Sequence, residues 1–370
     1  MISMNNNLLN KIDSDFWRNK KVFITGCTGF KGSWLSLILL NLGANIKGYS
    51  LEIDTKPSLF EICELHKQNF CTIGDIRDKE TLEKELIDFQ PEIVIHLAAQ
   101  ALVLRSYQDP VETYQTNVMG TVNLFEASRH LKSLKAILNI TSDKCYENKE
   151  WIWGYRENDE LGGYDPYSSS KACAELVTKA FTQSFFNPDN YEKHGVCLAS
   201  ARAGNVIGGG DWAENRLIPD AAKAFSQNQK LQIRRPLSTR PWQHVLEPLR
   251  GYLMLCEKMY KQGKNYSGAF NFGPSENNVC AVKEAIKEFS FLWGGNASFE
   301  IIDNENSFHE AGLLKLDISK VQKELNWKPK LNFSETLKIT ADWYKFFYQE
   351  NSEKIKEFTL KQIFENLDPI

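Results

Sequence analysis

Tyr167 and Lys171 follow Pro166 at a spacing of four residues, which sets both on one face of a helix that opens at the proline. A phenol titrates near pH ~10 and is a poor base at neutral pH. A neighbouring ammonium and a positively charged nicotinamide both favour the phenolate. Tyr167 can then take a hydroxyl proton while hydride leaves the same carbon. Lys171 has a second use, holding a cofactor ribose. A surface i,i+4 contact has the same spacing, so the chemistry requires a dinucleotide site nearby.

The stretch 22–32, VFITGCTGFKG, meets that requirement. An apolar run, Val22-Phe23-Ile24, reads as a buried strand. Gly26, Gly29 and Gly32 follow at intervals of three, with Thr28 and Phe30 between them, and a helical pattern runs over 33–42. Without Cβ atoms the backbone turns sharply and approaches a pyrophosphate, which meets the free N–H groups and positive dipole end of the helix. The usual fingerprint is GxGxxG; here it is GxxGxxG, and the flanking strand and helix decide for a nucleotide turn over a plain glycine turn.

The elements that position these residues alternate. Strands are expected over 45–50, 69–73, 93–97, 136–141 and 196–201, with helices over 79–89, 111–131 and from 166. A doubly wound parallel α/β sheet follows. Where strand two ends, an acidic residue normally meets the ribose of NAD; this chain has Ser50, with Glu52 beyond, which leaves NAD against NADP open. After strand three, Asp75 can accept an adenine amine while Ile76 packs the ring, or Asp75 caps the next helix. Ala98-Ala99-Gln100 ends strand four with two small residues beside which a dinucleotide can lie. Asn117 sits within the helix 111–131, where a polar side chain also serves to bond a neighbouring backbone. Strand five ends in Ser142-Asp143-Lys144, which taken alone also suits a solvated loop.

Past residue 208 the alternation loosens into a smaller mixed α/β lobe covering the carboxyl edge of the sheet. Helices are expected over 217–225, 248–260, 282–292, 318–325 and 335–348, with strands over 231–233, 269–272 and 299–302. The division is residues 1–205 for the dinucleotide-binding domain with the Tyr167 helix, 206–350 mainly for the substrate lobe, and 351–370 as a tail forming one surface helix. Residues 1–20 read as an extension, helical around 13–17. Arg216, Arg235 and Arg240 are cations suited to a pyrophosphate, since a guanidinium fork matches it. His244 and Trp242 serve either the substrate or the packing of the lobe.

Composition bounds the rest. With a net charge of −3, nothing electrostatic argues for nucleic acid or a membrane surface. No apolar run reaches the ~18 residues of a membrane span, and the N-terminus lacks the pattern of a secretion signal, so a cytoplasmic enzyme is expected. The eight cysteines form no C-x-x-C pair and the six histidines no H-x-x-x-H pair, which predicts reduced thiols and no metal.

Gly26-x-x-Gly29-x-x-Gly32 with Tyr167-x-x-x-Lys171 resembles the extended short-chain dehydrogenase/reductase superfamily, a Rossmann-fold group, over roughly residues 18–345. TGCTGFKGSWL, HLAAQALVLRSY, TSDKCYEN, DPYSSSKACAEL, ARAGNVIGGGDW and TRPWQHVLEPL together resemble the nucleotide-sugar 4,6-dehydratases, most closely their CDP-glucose branch. Most members carry Asp-Glu after strand five, whereas Asp143-Lys144 matches that branch. Cys27 departs from it, since the branch usually has His there; a local change in the cofactor pocket is expected.

The resemblance implies tightly bound NAD, with contacts from the glycine motif, Asp75, Ile76, Ala98, Ala99, Gln100, Asn117, Tyr167 and Lys171. It implies that Tyr167 takes the sugar 4-OH proton as hydride passes to NAD, with Ser142 helping to polarise the 4-oxygen. It makes Asp143 the acid at O6 and puts Lys144 where the usual Glu removes the C5 proton. A lysine does this only when neutral. The hydride then returns to C6, giving a 4-keto-6-deoxy sugar for 6-deoxy and dideoxy sugar biosynthesis, including that of lipopolysaccharide O-antigen. By the same resemblance Asn205 and Arg240 hold the pyrophosphate, Arg105 and Ser106 lie along the sugar, CDP-glucose is the substrate, and the enzyme is a homodimer through the Tyr167 helix. The choice of cytosine comes from resemblance alone. A 4-epimerase needs Tyr167 and Lys171 but no pair for expelling water. A non-catalytic sensor predicts a damaged Tyr/Lys pair, and a plain ketone reductase predicts net consumption of NADPH.

Overall fold

Apolar runs bounded by turn residues give strands that a parallel sheet buries on both faces. The structure, a computed structural model, describes residues 12–275, 279–302, 312–350 and 352–367. In chain order its strands are β1 (Lys21–Thr25), β2 (Asn45–Ser50), β3 (Cys71–Ile73), β4 (Ile93–His96), β5 (Ala136–Ile140), β6 (Cys197–Ala203), β7 (Val206–Ile207), β8 (Leu231–Ile233), β9 (Thr239–Pro241), β10 (Gln243–His244), β11 (Gly268–Phe272), β12 (Val279–Ala281) and β13 (Phe299–Ile301). Seven of them form one sheet in the order β11-β6-β5-β4-β1-β2-β3, with every pairing parallel. Every residue of β4, β5 and β6 is buried. The order reverses between β1 and β4, where two outward-running crossovers leave a crevice at the strands' carboxyl ends.

The doubly wound α/β class is as expected, and four elements differ in detail. The helix after the glycine turn starts at Phe30, so its first turn lies inside the motif. The expected helix 111–131 is Pro110–Tyr114, a π turn Gln115–Met119, and Gly120–Ser128, preceded by an unanticipated helix Val103–Gln108. Gly268–Phe272, assigned by sequence to the lobe, is the sheet's seventh strand. The helix Leu246–Gln262 before it packs on β5 and β6, so a cut at residue 205 does not separate sheet from lobe. The physical reason is its fully buried apolar face, with Leu249, Tyr252, Leu253 and Cys256 at 0% exposure. The tail helix, Ile355–Leu367, buries Ile355, Thr359, Ile363 and Leu367 on one stripe, and Thr359 accepts the Trp343 indole N–H at 2.9 Å. It is a surface helix anchored along that stripe, with Glu357, Lys361 and Glu365 on its exposed face. Of the expected N-terminal extension, Ser14–Trp17 is helical, and residues 1–11 lie outside the described residues.

The lobe is built from the pairs β7–β10, β9–β12 and β8–β13 and from helices Leu217–Ser226, Val282–Trp293 and Phe333–Lys345. Its core is aromatic, with Trp212 against Phe347 at 5.1 Å and Phe225 against Trp293 at 5.9 Å between ring centroids. Among the described residues no helix is long and apolar enough to cross a membrane.

Candidate active site

Two glycines of the turn answer to space. Gly26 has φ +73°, and a Cβ there would stand 2.7 Å from the Ala98 nitrogen. A Cβ on Gly32 would stand 2.1 Å from the Gly26 oxygen. The turn therefore lies flat on the end of β4, and the helix Phe30–Asn41 starts from Gly29 without a side-chain cap, leaving its first N–H groups to a ligand. The Thr25 hydroxyl oxygen accepts from Leu97 N–H and Ala98 N–H at 3.2 and 3.1 Å and lies 2.7 Å from His96 Nδ1. His96 Nε2 meets the Thr121 hydroxyl at 3.1 Å, and that hydroxyl donates to the Asn117 carbonyl. This chain of bonds calls for a neutral imidazole protonated on Nε2.

Around the crevice a cavity of about 930 Å³ is lined by Gly26, Thr28, Gly29, Phe30, Gly32, Asp75, Ile76, Ala98, Ala99 and Gln100, and at its deep end by Ser142, Asp143, Lys144, Tyr167 and Lys171. The size and the flat glycine turn fit a dinucleotide beside a second large ligand. Ile76 is buried against Gly120, where a Cβ would come within 2.6 Å of it. Asp75 does not cap the helix Lys79–Phe89; Asp78 does. Instead Arg77 pairs with Asp75 at 2.5 Å and holds its carboxyl below the usual range. Thr28 and Ser50 bond each other through their hydroxyls at 2.6 Å.

Asn117 does not line the cavity. It accepts from Gln100 N–H at 2.8 Å and donates to the Gln100 carbonyl at 3.0 Å and the Ser170 hydroxyl at 2.8 Å, locking the loop after β4 to the Tyr167 helix from inside the π turn. Ser106 is likewise off the cavity, at 0% exposure. Its oxygen accepts the Tyr167 backbone N–H at 3.1 Å and thereby fixes the start of the Tyr167 helix. Neither of these expected ligand contacts lines the cavity, and the polar atoms of both side chains are bonded within the protein.

The helix Pro166–Ser184 is capped by Asp165 and carries Tyr167 and Lys171 into the deep end. Burial pushes the Tyr167 phenol up to about 12, against the pull of the Ser142 hydroxyl and Arg216. Burial brings the Lys171 ammonium down to about 8, opposed by Glu175, and its Nζ lies 3.5 Å from the Ile140 carbonyl. The Ser142 hydroxyl donates to Asp143 Oδ1 at 3.0 Å. Asp143 Oδ2 is buried without a hydrogen-bond partner among the described residues, and a Cβ on Gly204 would clash with it. Lys144 Nζ is 5.9 Å from the centre of the Tyr167 ring and makes no ion pair among the described residues.

Sequence reasoning passed over the support beneath these groups. Glu175, one turn beyond Lys171, pairs with Arg202 of β6 at 2.8 Å, both under 5% exposed, and accepts from the Thr141 and Ser200 hydroxyls. Burial pushes the Glu175 carboxyl up, but Arg202 and those hydroxyls bring it below its ordinary value. Arg202 also donates to the Tyr146 hydroxyl at 2.7 Å, which donates to Asn271 of β11 at 2.7 Å. The signal was present: a charge inside each of two otherwise apolar runs. Lys31, within the glycine motif itself, was also missed. It lines the cavity, and burial with Arg216 and Lys171 brings it down to about 8.

At the wide end Arg105, Asn205, Arg216, Arg235, Arg240 and Trp242 line the cavity. Arg216 pairs with buried Asp211 at 2.8 Å, and Arg105 with Glu112 at 2.9 Å. His244 does not belong there. It is fully buried, edge-on to Trp34 at 6.0 Å between ring centroids, because β10 turns it beneath β7 toward the glycine helix.

His244 and His96 give the fold an acid limit. Burial holds both imidazoles at about 3, against an ordinary 6.5. The folded chain resists a proton that the unfolded chain accepts, so stability is full above about pH 6.5 and is lost as pH falls toward 3. His244→Asn keeps an acceptor for the Leu246 N–H and removes one titration. Urea unfolding of the variant is expected to lose less stability between pH 7 and pH 5 than the parent. Equal losses would trace the acid sensitivity to other groups.

A family model described as GDP-mannose 4,6 dehydratase matches residues 23–340. Over 334 residues the chain is 56% identical to the CDP-glucose 4,6-dehydratase of Salmonella typhimurium, covering 90% of this chain and 93% of that relative. The dTDP-glucose 4,6-dehydratase of Bacillus anthracis in complex with NAD superposes with a TM-score of 0.72 at 22% identity, covering 88% of this chain and 96% of that one. UDP-glucose 4-epimerase of Thermotoga maritima with UDP-glucose superposes at 0.74 and 21% identity, covering 88% and 98%. Those two structures speak for the fold alone.

Proposed function

The chain belongs to the GDP-mannose 4,6 dehydratase family, and from that premise we propose that it converts CDP-D-glucose to CDP-4-dehydro-6-deoxy-D-glucose and water, using NAD. One observation carries this choice over a 4-epimerase: Asp143 and Lys144 line the same deep end of the cavity as Tyr167 and Lys171. An acid and a base beside the sugar are needed to expel a hydroxyl, not to invert a carbon. The CDP-glucose of the 56%-identical relative supports the substrate. NAD is favoured over NADP because Glu52, Asp54 and Asp75 line the adenosine end and repel an added phosphate.

When bound, NAD supplies reversible hydride acceptance, from C4 and back to C6. The glycine turn and the uncapped helix start hold its pyrophosphate, and Lys171 its ribose. Tyr167 takes the 4-OH proton, with the Lys171 charge and the Ser142 hydroxyl stabilising the phenolate. The 4-ketone acidifies the C5–H, which Lys144 removes. Asp143 Oδ2, the partnerless oxygen, delivers the proton that lets O6 leave as water. Asn205, Arg216, Arg235 and Arg240 hold the sugar diphosphate from the lobe side, and Arg105 lies along the sugar. The enzyme works as a cytoplasmic homodimer. Exposed Leu176 on the Tyr167 helix, with exposed Val111 and Met119 on the turns packed against that helix, supports that pairing, and eight free thiols suit a reducing compartment.

Mass spectrometry of CDP-glucose incubated with enzyme and NAD tests the proposal. Loss of one water is expected from CDP-glucose and not from UDP-, dTDP- or GDP-glucose. An isomeric hexose instead would mean epimerisation. Lys144→Met is expected to lower turnover about 10²–10⁴-fold and to abolish solvent deuterium uptake at C5. Near-normal turnover would remove Lys144 from that role.

A further inference from the structure

Cys27 lies within the glycine turn, directly after Gly26, and its sulfur stands 2.8 Å from that of Cys71 on β3. Both are free thiols. β3 is the sheet's edge strand, and Cys71 is partly exposed whereas Cys27 is buried. Gly48 on β2 makes the room for this contact, since a Cβ there would stand 2.5 Å from the Cys27 sulfur. Chain segments 44 residues apart thus bring two thiols together at the base of the dinucleotide turn.

We propose that Cys27 and Cys71 form a reversible disulfide under peroxide and that this bond controls dinucleotide binding at the glycine turn. The bond to Cys27 and the nearby Lys47 bring the Cys71 thiol below its ordinary value, while the same bond and burial push Cys27 up. Cys71 is therefore the attacking sulfur, being also the accessible one. Its thiolate attacks one oxygen of hydrogen peroxide; the O–O bond breaks, giving Cys71 sulfenic acid and hydroxide. Cys27 then attacks the sulfenic sulfur, the S–S bond forms and the second oxygen leaves as water. Two thiols and one peroxide give one disulfide and two waters. A disulfide is about 2.0 Å long, so Cys27 is drawn toward β3 by a fraction of an ångström. Cys27 Cα lies against Gly32, where a Cβ would stand 2.8 Å from it, so the turn moves with it. N–H groups aimed at a pyrophosphate lose alignment.

The dinucleotide half of this inference rests on the proposed function; the cross-link does not. The test treats the full chain with hydrogen peroxide, maps cross-linked peptides by mass and measures NAD affinity by calorimetry before and after. A 27–71 cross-link in preference to every other pair, undone by dithiothreitol, is expected, with NAD affinity about tenfold weaker in the oxidised form. The affinity of Cys71→Ser should not respond to peroxide. Stable sulfinic acid at Cys71, a cross-link elsewhere, or a 27–71 bond with unchanged affinity would overturn the proposal. Failure of the reduced protein to bind NAD would instead refute the proposed function, while the mass map still decides the cross-link.

Discussion

Tyr167→Phe is expected to cut turnover by about 10²–10⁴-fold while leaving NAD affinity nearly unchanged. The ring that fills the deep end remains, and so does Lys144 beside it. Only the oxygen that receives the 4-OH proton is gone. Because this step comes first, no 4-ketone forms and the acid and base at residues 143 and 144 have nothing to act on. Rapid-mixing absorbance at 340 nm, which follows cofactor reduction, should show no transient in the variant. A transient of parental size with slow product release would move the defect to a later step and discard Tyr167 as the initiating base.

Arg202→Met should cost about 3–5 kcal/mol of stability, the largest single loss expected outside the apolar core. The substitution leaves the Glu175 carboxylate buried, with only the Thr141 and Ser200 hydroxyls for partners among the described residues. It also takes a donor from the Tyr146 hydroxyl and from the Glu157 carbonyl. Glu175 then takes up a proton on folding, so the variant's stability should fall more steeply than the parent's as pH rises above 5. Adding Glu175→Gln should recover part of the loss, since the second change removes the stranded charge. Chemical denaturation of both variants checks this. A loss below about 1 kcal/mol for Arg202→Met would mean that water reaches the pair.

The strand–turn–helix at residues 21–41 and the helix from Pro166 were legible because local chemistry determines them: glycines where a Cβ collides, a proline at a helix start, an acid before it. Of the residues lining the deep end, Tyr167 and Lys171 followed from the second segment, whereas Ser142, Asp143 and Lys144 after β5 were singled out by resemblance. That Ser106 bonds backbone was not legible, and for Asn117 the backbone bond was one of two readings. Whether a buried polar side chain faces a ligand or a backbone depends on a π turn and a neighbouring loop that no short window contains. Likewise β11 has the same local pattern whether it joins the lobe or the sheet; its parallel register with β6 is a tertiary fact. For His244 the choice between substrate and packing stayed open for a related reason, since two-residue strands carry almost no periodic signal.

The late arrival of β11 bears on how the chain is made. The chain must be made through Phe272, first lobe segments included, before the sheet can close beside β6. The helix Ile355–Leu367 comes later still, and it joins segments that precede the sheet's third strand: Lys356 meets Glu64 at 3.2 Å, and Leu367 and Ile363 face Ile12 and Ile38. This helix is stitched to elements made much earlier, so a nascent chain stopped short of residue 355 leaves an apolar face open to chaperones and proteases.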